Sequence, residues 1–420
     1  MRPDHATPSR SRPSRRGFLR GALALLAAGP AALIAACTPG RESASPRPAS
    51  SPVASGSLPT TVPTVPPSPA DAAAALRRAI GRMLMIGFRG TAFDAADPIL
   101  QAVASGELGS VILFDRDHLT KTAGRNITDP TQLAALTTAL HAAYPAEAGS
   151  RFLIALDQEG GLVVRLNSTD GYAATESEAA LGAANDLTHT TAVATVTATW
   201  LAEAGIDLNL APVVDLDVDP ASPAIGALDR SFSKDPAVVV AQATAVIDAH
   251  HAKGVLCAIK HFPGEGSATG NTDDGVVDVT ATWTEAELAP FASLVDAGLP
   301  DAIMVGNVID TKIDPSRPLS LSPAAVTGLL RKRLGWDGVV VTDDLQAGAI
   351  RARYGVEEAA ILAIEAGADL LIFANQQEFD PTVVARVTGA VVAAVGSGRI
   401  DAAWIAASVA RIETMLAGGH

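Results

Sequence analysis

Eight short apolar runs, separated by helical patterns, restrict the fold of this chain more than any other feature. The runs span residues 83–88, 110–114, 152–156, 208–214, 255–259, 302–305, 339–341 and 370–373. Runs that are continuously apolar, rather than alternating, indicate strands buried on both faces, as in a parallel sheet. Eight strand–helix units in about 340 residues predict an α/β fold with one closed (β/α)8 TIM-type barrel.

Helical patterns fill the segments between the runs and continue past the last one. They span residues 71–81, 129–144, 191–204, 236–253, 284–297, 323–334, 356–366, 381–395 and 401–416. An open doubly wound sheet is the alternative arrangement. No Gly-x-Gly-x-x-Gly motif follows the first strand, so nothing favours a dinucleotide-binding fold. A single barrel domain is therefore predicted over residues 71–420.

The first 70 residues have the composition of an export signal followed by a tether. Residues 14–19 form a twin-arginine pattern, and an apolar stretch follows at 22–36. The sequence Leu-Ile-Ala-Ala-Cys at 33–37 resembles a bacterial lipobox, which implies cleavage before Cys37 and lipid attachment to its sulfur; an ordinary signal peptide is the alternative. Residues 38–70 contain nine prolines and cannot bury a core. We expect a signal peptide at 1–36, a lipidated Cys37 with a tether at 37–70, and a protein anchored at the outer face of the cytoplasmic membrane.

Charge and motif content exclude several classes of function. The net charge is −14, and six arginines and one aspartate in residues 1–36 leave −19 on the remainder. Such a chain is not expected to bind nucleic acid. Histidines number eight, and the His250–His251 pair lies in a predicted helix without strand-end partners. No zinc spacing, phosphate loop or nucleophile elbow is present, so no metal and no cofactor are expected, and no pattern sets an oligomeric state.

Polar residues follow the predicted strands at the end where a barrel carries its active site. They are Asp157, Glu159 and Arg165 after the third run, Asp215, Asp217 and Asp219 after the fourth, Lys260 and His261 after the fifth, Asn307 after the sixth, and Asp343 and Asp344 after the seventh. A single aspartate in such a place often caps the next helix. A convergent set of carboxylates and cations instead predicts a cleft for a polar, hydroxyl-rich ligand.

Several of these stretches together resemble glycoside hydrolase family 3, and within it the single-barrel β-N-acetylglucosaminidases that act on peptidoglycan fragments. The stretches are Lys260-His261-Phe262-Pro263-Gly264, Asp157-Gln158-Glu159-Gly160-Gly161, Thr342-Asp343-Asp344-Leu345, Ala211-Pro212-Val213-Val214-Asp215 and Asp229-Arg230-Ser231-Phe232. The resemblance covers residues 76–418. It implies a retaining exo-glycosidase that removes terminal β-linked N-acetylglucosamine from cell-wall glycan fragments.

The resemblance also implies roles for individual residues. Asp343 would be the nucleophile that forms a covalent glycosyl intermediate. The sugar in the terminal subsite would be bound by Asp157, Arg165, Arg230, Lys260 and His261.

The loop after Gly264 departs from the pattern of this subgroup, in which an Asp–His dyad supplies the acid/base. Residues 265–275 contain no histidine. Counted without gaps from Lys260, Asn271 stands where the dyad aspartate would be and Asp273 where the histidine would be. Three interpretations remain open: Asp273 (or Asp274) is the acid/base on a mobile loop, Glu265 is the acid/base, or the site binds glycan with little or no turnover. Another family 3 exo-β-glycosidase, acting for example on glucosides, is a further alternative.

Overall fold

The computed structural model describes residues 68–145 and 150–418, so the predicted signal peptide, Cys37 and nearly all of the predicted tether lie outside the described residues. Within this part of the chain every one of the eight apolar runs forms a strand, and a short hairpin (β3 and β4) is added between the second and third runs. The strands are β1 (Leu84–Gly87), β2 (Ser110–Ile112), β3 (Arg116–Asp117), β4 (Thr122–Ala123), β5 (Leu153–Leu156), β6 (Leu208–Asn209), β7 (Leu256–Phe262), β8 (Ala302–Val305), β9 (Val339–Thr342) and β10 (Leu371–Phe373).

The eight strands formed by the apolar runs pair in parallel in one sheet, in the order β10-β1-β2-β5-β6-β7-β8-β9. The first and last strands in sequence are neighbours, since Leu84 pairs with Leu371. A parallel bridge between Val341 and Leu370 joins β9 to β10, and the Leu370 amide donates to the Val340 carbonyl at 3.0 Å. These contacts bring the two ends of the sheet together into a barrel, and the predicted (β/α)8 fold is confirmed.

Helices follow the strands and surround the barrel. They are α1 (Pro69–Arg82), α2 (Pro98–Ala104), α3 (Pro130–Ala143), α4 (Glu178–Ala184), α5 (Leu187–Glu203), α6 (Pro236–His251), α7 (Ala289–Asp296), α8 (Gly348–Arg351), α9 (Val356–Ala366), α10 (Val383–Gly396) and α11 (Ala402–Leu416). Helices α2, α3 and α6 begin in the same way. An aspartate at the N-cap accepts a hydrogen bond from a backbone amide, and a proline is the first residue of the helix. Both residues suit the first turn, where amides have no partner within the helix.

Some helical segments differ from the sequence prediction. Residues 284–297 open with a 3₁₀ turn, Glu285–Leu288, before α7 begins. The predicted helix 323–334 is a π-helical segment, Ala324–Arg333. Its hydrogen bonds join residues five positions apart, as from the Gly328 amide to the Pro323 carbonyl at 2.9 Å. Helices α2, α4 and α8 were not predicted, because four to seven residues are too few to display a helical period.

The core explains why the barrel can hold a site rigidly. All residues of β1, β5, β8 and β9 are buried, and the side chains around them are mainly Ala, Val, Leu and Ile. Cys257 lies in this core as a free thiol, and burial raises its pKa. None of the helices in residues 68–145 and 150–418 is long and apolar enough to cross a membrane.

The His250–His251 pair lies at the end of α6, as predicted, and both side chains have partners on the barrel wall outside the candidate site. His250 Nε2 lies 3.1 Å from the amide of Asn209 at the end of β6, and His251 Nε2 lies 2.8 Å from Asp301, which precedes β8. The last turn of α6 packs against the barrel, so a helical position did not isolate these side chains.

Candidate active site

A cavity of about 450 Å³ opens at the carboxyl ends of the barrel strands, within the usual range for small-ligand sites of about 300–1,000 Å³. Its wall contains every residue that the sequence assigned to catalysis or sugar binding: Asp157, Arg165, Arg230, Lys260, His261, Asp273 and Asp343. These side chains come from four different strand–loop units, those of β5, β6, β7 and β9. The sequence therefore predicted where they meet, while their roles stay predictions.

The closed end of the cavity is an ion-pair network around a buried lysine. Lys260, at 2% exposure, places its Nζ 2.8 Å from Asp157 Oδ1 and 2.7 Å from Glu159 Oε1. Arg230 holds the same Glu159 through both oxygens, at 2.7 and 2.8 Å. Buried charges are tolerated when each one has an opposite charge and hydrogen bonds, as here.

The network keeps all four groups ionised. Burial pushes the pKa of Glu159 upward, but Arg230 and Lys260 outweigh burial and leave that pKa well below its ordinary value. The pKa of Asp157 is lowered for the same reason, by Lys260 and Arg165 against burial. Burial lowers the pKa of Lys260 and of Arg230, yet the neighbouring carboxylates raise both above the ordinary values. The closed end is therefore a fixed array of charges, not a proton-transfer site.

Arg165 joins the network from the loop after β5. Its Nη2 donates to Asp157 Oδ2 at 3.1 Å, and its backbone amide donates to the Gln158 side chain at 2.9 Å. Its Nε is buried without a hydrogen-bond partner, and its guanidinium lies 5.3 Å from the centre of the Phe114 ring. A buried donor without a partner in a cavity wall is suited to bind a ligand oxygen.

His261 is oriented by a buried carboxylate. Asp215, which is fully buried, lies 2.8 Å from His261 Nδ1 and also accepts the backbone amides of His261 and Glu265. Arg230 Nη2 lies 3.2 Å from His261 Nε2. Because a guanidinium can only donate, Nε2 accepts and the imidazole proton lies on Nδ1, where it is donated to Asp215. This arrangement fixes the ring at the cavity wall.

Asp343 follows β9 directly and is held by its neighbours. Its backbone amide donates to the Val305 carbonyl at 3.0 Å, and its Oδ1 accepts the Asp344 amide at 2.7 Å. The buried Asn307 donates its side-chain amide to the Asp344 carbonyl at 2.9 Å and accepts from Ser320 at 2.6 Å. Asn307 therefore braces the turn that carries Asp343, which gives this strand-end residue a structural role.

The loop that carries Asp273 is docked on the segment after Asp343. The carbonyls of Thr272 and Asp273 accept the amides of Ala349 and Gly348, at 2.9 and 3.0 Å. A Cβ at Gly348 would lie 2.7 Å from the Asp273 carbonyl, so this contact requires glycine. The predicted mobile loop is thus anchored at its centre, and the carboxylates of Asp273 and Asp343 are placed by connected segments.

Asp273 is exposed to solvent at the cavity mouth, and its carboxyl is nevertheless perturbed. The surrounding protein withdraws water from the carboxyl, and this desolvation, followed by the negative charge of Asp343, raises the pKa of Asp273 to about 6. Asp274 is exposed as well and is not part of the cavity wall. Between these two acidic residues, the structure favours Asp273 as a group that could exchange a proton with a ligand in the cavity.

Glu265 is the second perturbed carboxyl in the cavity wall. It is 2% exposed, its Oε1 has no hydrogen-bond partner, and a Cβ at Gly306 would lie 2.0 Å from that oxygen. Burial, and then the charge of Asp343, raise its pKa well above the ordinary value. Glu265 is therefore a buried acid wedged against the end of β8, whereas Asp273 faces solvent.

Comparison with known protein families identifies the family of this chain. The model described as the N-terminal domain of glycosyl hydrolase family 3 matches residues 75–415. The chain belongs to glycoside hydrolase family 3. The match covers the whole barrel, so the family resemblance seen in the strand-end motifs is confirmed.

Curated relatives place the chain among the β-hexosaminidase-like members of family 3. The β-hexosaminidase of Xylella fastidiosa strain M23 is 34% identical over 304 residues, which cover 70% of this chain and 84% of that protein. The β-hexosaminidase LpqI of Mycobacterium tuberculosis is 33% identical over 408 residues, which cover 94% of this chain and 96% of that protein. The chain is thus a glycoside hydrolase of the β-N-acetylhexosaminidase-like type.

Solved structures agree on the fold. A family 3 β-N-acetylglucosaminidase from Paenibacillus superposes with a TM-score of 0.72 at 34% identity, over 81% of this chain and 62% of that one. The chain therefore spans less than two thirds of the Paenibacillus protein. A β-N-acetylhexosaminidase from Beutenbergia cavernae gives a TM-score of 0.71 at 35% identity, over 80% of this chain and 97% of that one.

Some residues of the site had no assigned role in the sequence analysis. Glu159 belongs to the Asp157-Gln158-Glu159-Gly160-Gly161 motif. Its position two residues after Asp157, at a strand end, was the sequence feature that could have indicated a role in the site. Asp215 was noted only as a strand-end carboxylate, and the buried Glu178, which accepts the Val213 amide at 3.0 Å, was missed. No sequence signal marks Glu178, because its partners come from other strands. No group of three or more metal-ligating side chains comes together within residues 68–145 and 150–418.

Proposed function

We propose that the protein is a retaining exo-glycosidase that removes a terminal β-linked N-acetylglucosamine through a covalent intermediate on Asp343. The observation that carries the proposal is the cavity itself, in which a rigid charged end lies beside a braced, half-buried carboxylate. The relatives called β-hexosaminidase support the choice of sugar.

The closed end suits one terminal sugar ring. Asp157 can accept from sugar hydroxyls, while Lys260 and Arg165 can donate to sugar oxygens. These groups are already fixed by their mutual ion pairs, so the protein has little to reorganise when the sugar binds. Because the network blocks the cavity at this end, the chain of a glycan extends only towards the open end, which gives exo action.

The chemistry needs a nucleophile and a proton donor. In the first step the Asp343 carboxylate attacks the anomeric carbon, the glycosidic bond breaks, and the leaving oxygen takes a proton from Asp273. In the second step Asp273 accepts a proton from water as that water attacks the anomeric carbon and releases Asp343. A pKa of about 6 suits a group that must both give and take a proton near neutral pH.

Glu265 is the competing acid/base in this scheme. Its backbone amide is tied to Asp215 at 3.0 Å, and its carboxyl is buried against Gly306, so it lies deeper than a leaving group that departs through the mouth. The exposure of Asp273 at the mouth favours Asp273. Azide can replace a missing acid/base carboxylate as a second-step nucleophile, so azide rescue of Asp273→Ala, and none of Glu265→Ala, is the expected result.

Chromophore release tests the whole proposal. The purified protein should cleave an aryl β-N-acetylglucosaminide much faster than the matching aryl β-glucoside, and Asp343→Ala should abolish release. Asp274→Asn is the matched control, since Asp274 is acidic, exposed and outside the cavity wall. Faster cleavage of the glucoside would identify a β-glucosidase-like enzyme. Binding of N-acetylglucosamine oligomers without cleavage would identify a glycan-binding protein, the alternative suggested by the loop without histidine.

We further propose that the protein is exported as a lipoprotein and acts on cell-wall glycan fragments. The support is the twin-arginine pattern, the lipobox-like Cys37 and the proline-rich segment in the sequence. The alignment with LpqI covers 94% of this chain and so extends beyond the barrel. Metabolic labelling with a fatty-acid analogue should modify the wild type and spare Cys37→Ser; equal labelling of both would rule out a lipid on this residue.

A further inference from the structure

The hairpin formed by β3 and β4 lies beside the cavity and carries unused positive charge. Arg116 and His118 are exposed and line the cavity wall. Lys121, at the hairpin turn, lies outside the cavity wall but next to it, with its Nζ 3.2 Å from His118 Nε2 and its carbonyl accepting from Arg116 Nη2 at 2.5 Å. Among the described residues, neither Arg116 nor Lys121 forms an ion pair with a carboxylate, and neither takes part in the chemistry proposed above.

The backbone of this hairpin is fixed at the cavity rim. Gln376, after β10, accepts the His118 amide at 2.8 Å and donates to the Arg116 carbonyl at 2.9 Å. The buried Arg125 in turn holds Gln376 at 2.9 Å and donates to the Ala374 carbonyl at 3.0 Å. A cationic loop that the barrel holds in this way can present its charges in a constant place.

The hairpin has a local excess of positive charge in a strongly acidic chain. Its one carboxylate, Asp117, is matched by two arginines, with Arg89 at 2.6 Å and Arg125 at 3.6 Å. Arg116 and Lys121 remain as surplus charge, although the chain as a whole carries −14. Asp115 also lines the cavity and accepts from Asn167 at 3.2 Å. Burial raises its pKa, and the charges of Arg165 and Arg116 lower it in part, so Asp115 offsets some of the charge of Arg116. A negatively charged chain would repel an anionic substrate, and this hairpin opposes that repulsion at the mouth.

Burial and exposure distinguish the two ends of the cavity. The side chains of Lys260 and Glu159 are buried at one end, whereas Leu162, at 68% exposure, Arg116, His118 and Asp273 are the exposed residues of the wall and mark the open end. We propose that Arg116 and Lys121 form an aglycone subsite that selects substrates whose leaving group carries a carboxylate. The inference rests on the proposed exo-glycosidase function, because it assumes that the terminal sugar occupies the blocked end.

The test compares two aryl β-N-acetylglucosaminides that differ only in a carboxylate on the aryl ring. Wild-type protein should show a kcat/KM ratio, charged over neutral, of about three- to tenfold above that of Arg116→Gln/Lys121→Gln. Lys121→Glu should lower the ratio further, and Lys121→Arg should keep it. Added salt should reduce the ratio in the wild type, because both cations are exposed.

The ratio cancels any general loss of activity in a variant, so a damaged protein cannot imitate the result. Arg333→Gln, which removes an exposed cation outside the cavity, is the matched control and should leave the ratio unchanged. Equal ratios in the wild type and the double variant would overturn the subsite. Failure of the wild type to cleave either compound would instead overturn the proposed glycosidase function.

Discussion

Replacing Glu159 by glutamine tests the ion-pair network at the closed end of the cavity. The side chain of Glu159 is 1% exposed and accepts from Lys260 and from Nε and Nη2 of Arg230. Glutamine keeps the shape but leaves two buried cations with less compensating charge. Removing one partner of a buried pair costs about 3–5 kcal/mol.

That cost converts into a shift in melting temperature. At about 2.1 cal/mol/K per residue, a barrel domain of about 350 residues unfolds with an entropy of about 0.7 kcal/mol/K. The expected decrease is therefore about 4–7 °C, measured by calorimetry or circular dichroism at neutral pH.

A matched control is available on the surface of the same domain. Glu285 also pairs through both oxygens with an arginine, Arg333, at 3.1 and 2.9 Å, but its side chain is 69% exposed. Glu285→Gln should leave the melting temperature unchanged, because water solvates the charges of an exposed ion pair and salt screens them. Equal shifts for the two variants, or no shift for Glu159→Gln, would refute the reasoning that burial makes the network costly to break.

Three other outcomes follow from the carboxyls around Asp343. Asp273→Ala should lower kcat/KM by about 10²–10⁴ for a glycoside with a poor leaving group and much less for one with a good leaving group; equal losses in steady-state assays would remove Asp273 from the mechanism. In the wild type, kcat/KM for the poor leaving group should fall as the pH rises through about 6, because only protonated Asp273 can donate; a flat profile to alkaline pH would contradict this. Burial raises the pKa of Asp344 to about 7, so its contribution to stability is complete below its unfolded pKa and is lost as the pH rises through 7. Asp344→Asn should therefore gain in melting temperature over the wild type between pH 5 and pH 8, and a constant difference would contradict the raised pKa.

The barrel could be predicted because its strands are buried on both faces and therefore read as continuous apolar runs. Every run became a strand, and Lys260 and Asp343 fell at strand ends because the polar sequence begins where burial stops. The short α4 and the hairpin from Arg116 to Ala123 could not be predicted, since neither shows a period or an apolar run. Both are held by contacts from distant parts of the chain, such as the one from Gln376 to Arg116.

The assembly of the site shows a similar limit. Asp157 and Lys260 could be expected to meet, because parallel strands end on the same side of a barrel. The sharing of Glu159 between Lys260 and Arg230 depends on loop paths that local sequence does not encode. Asp273 could be placed only by counting along a loop, and its docking on Gly348 appears only in three dimensions.

Trapping of the intermediate tests the central claim most directly. A 5-fluoro aryl β-N-acetylglucosaminide slows both steps of a retaining mechanism, while its good leaving group keeps the first step the faster one, so the glycosyl enzyme accumulates. Peptide mass spectrometry should then find one sugar adduct, on Asp343. An adduct on Asp273 or Glu265, or rapid turnover of natural-type substrates with no adduct on any carboxylate, would contradict the proposed role of Asp343.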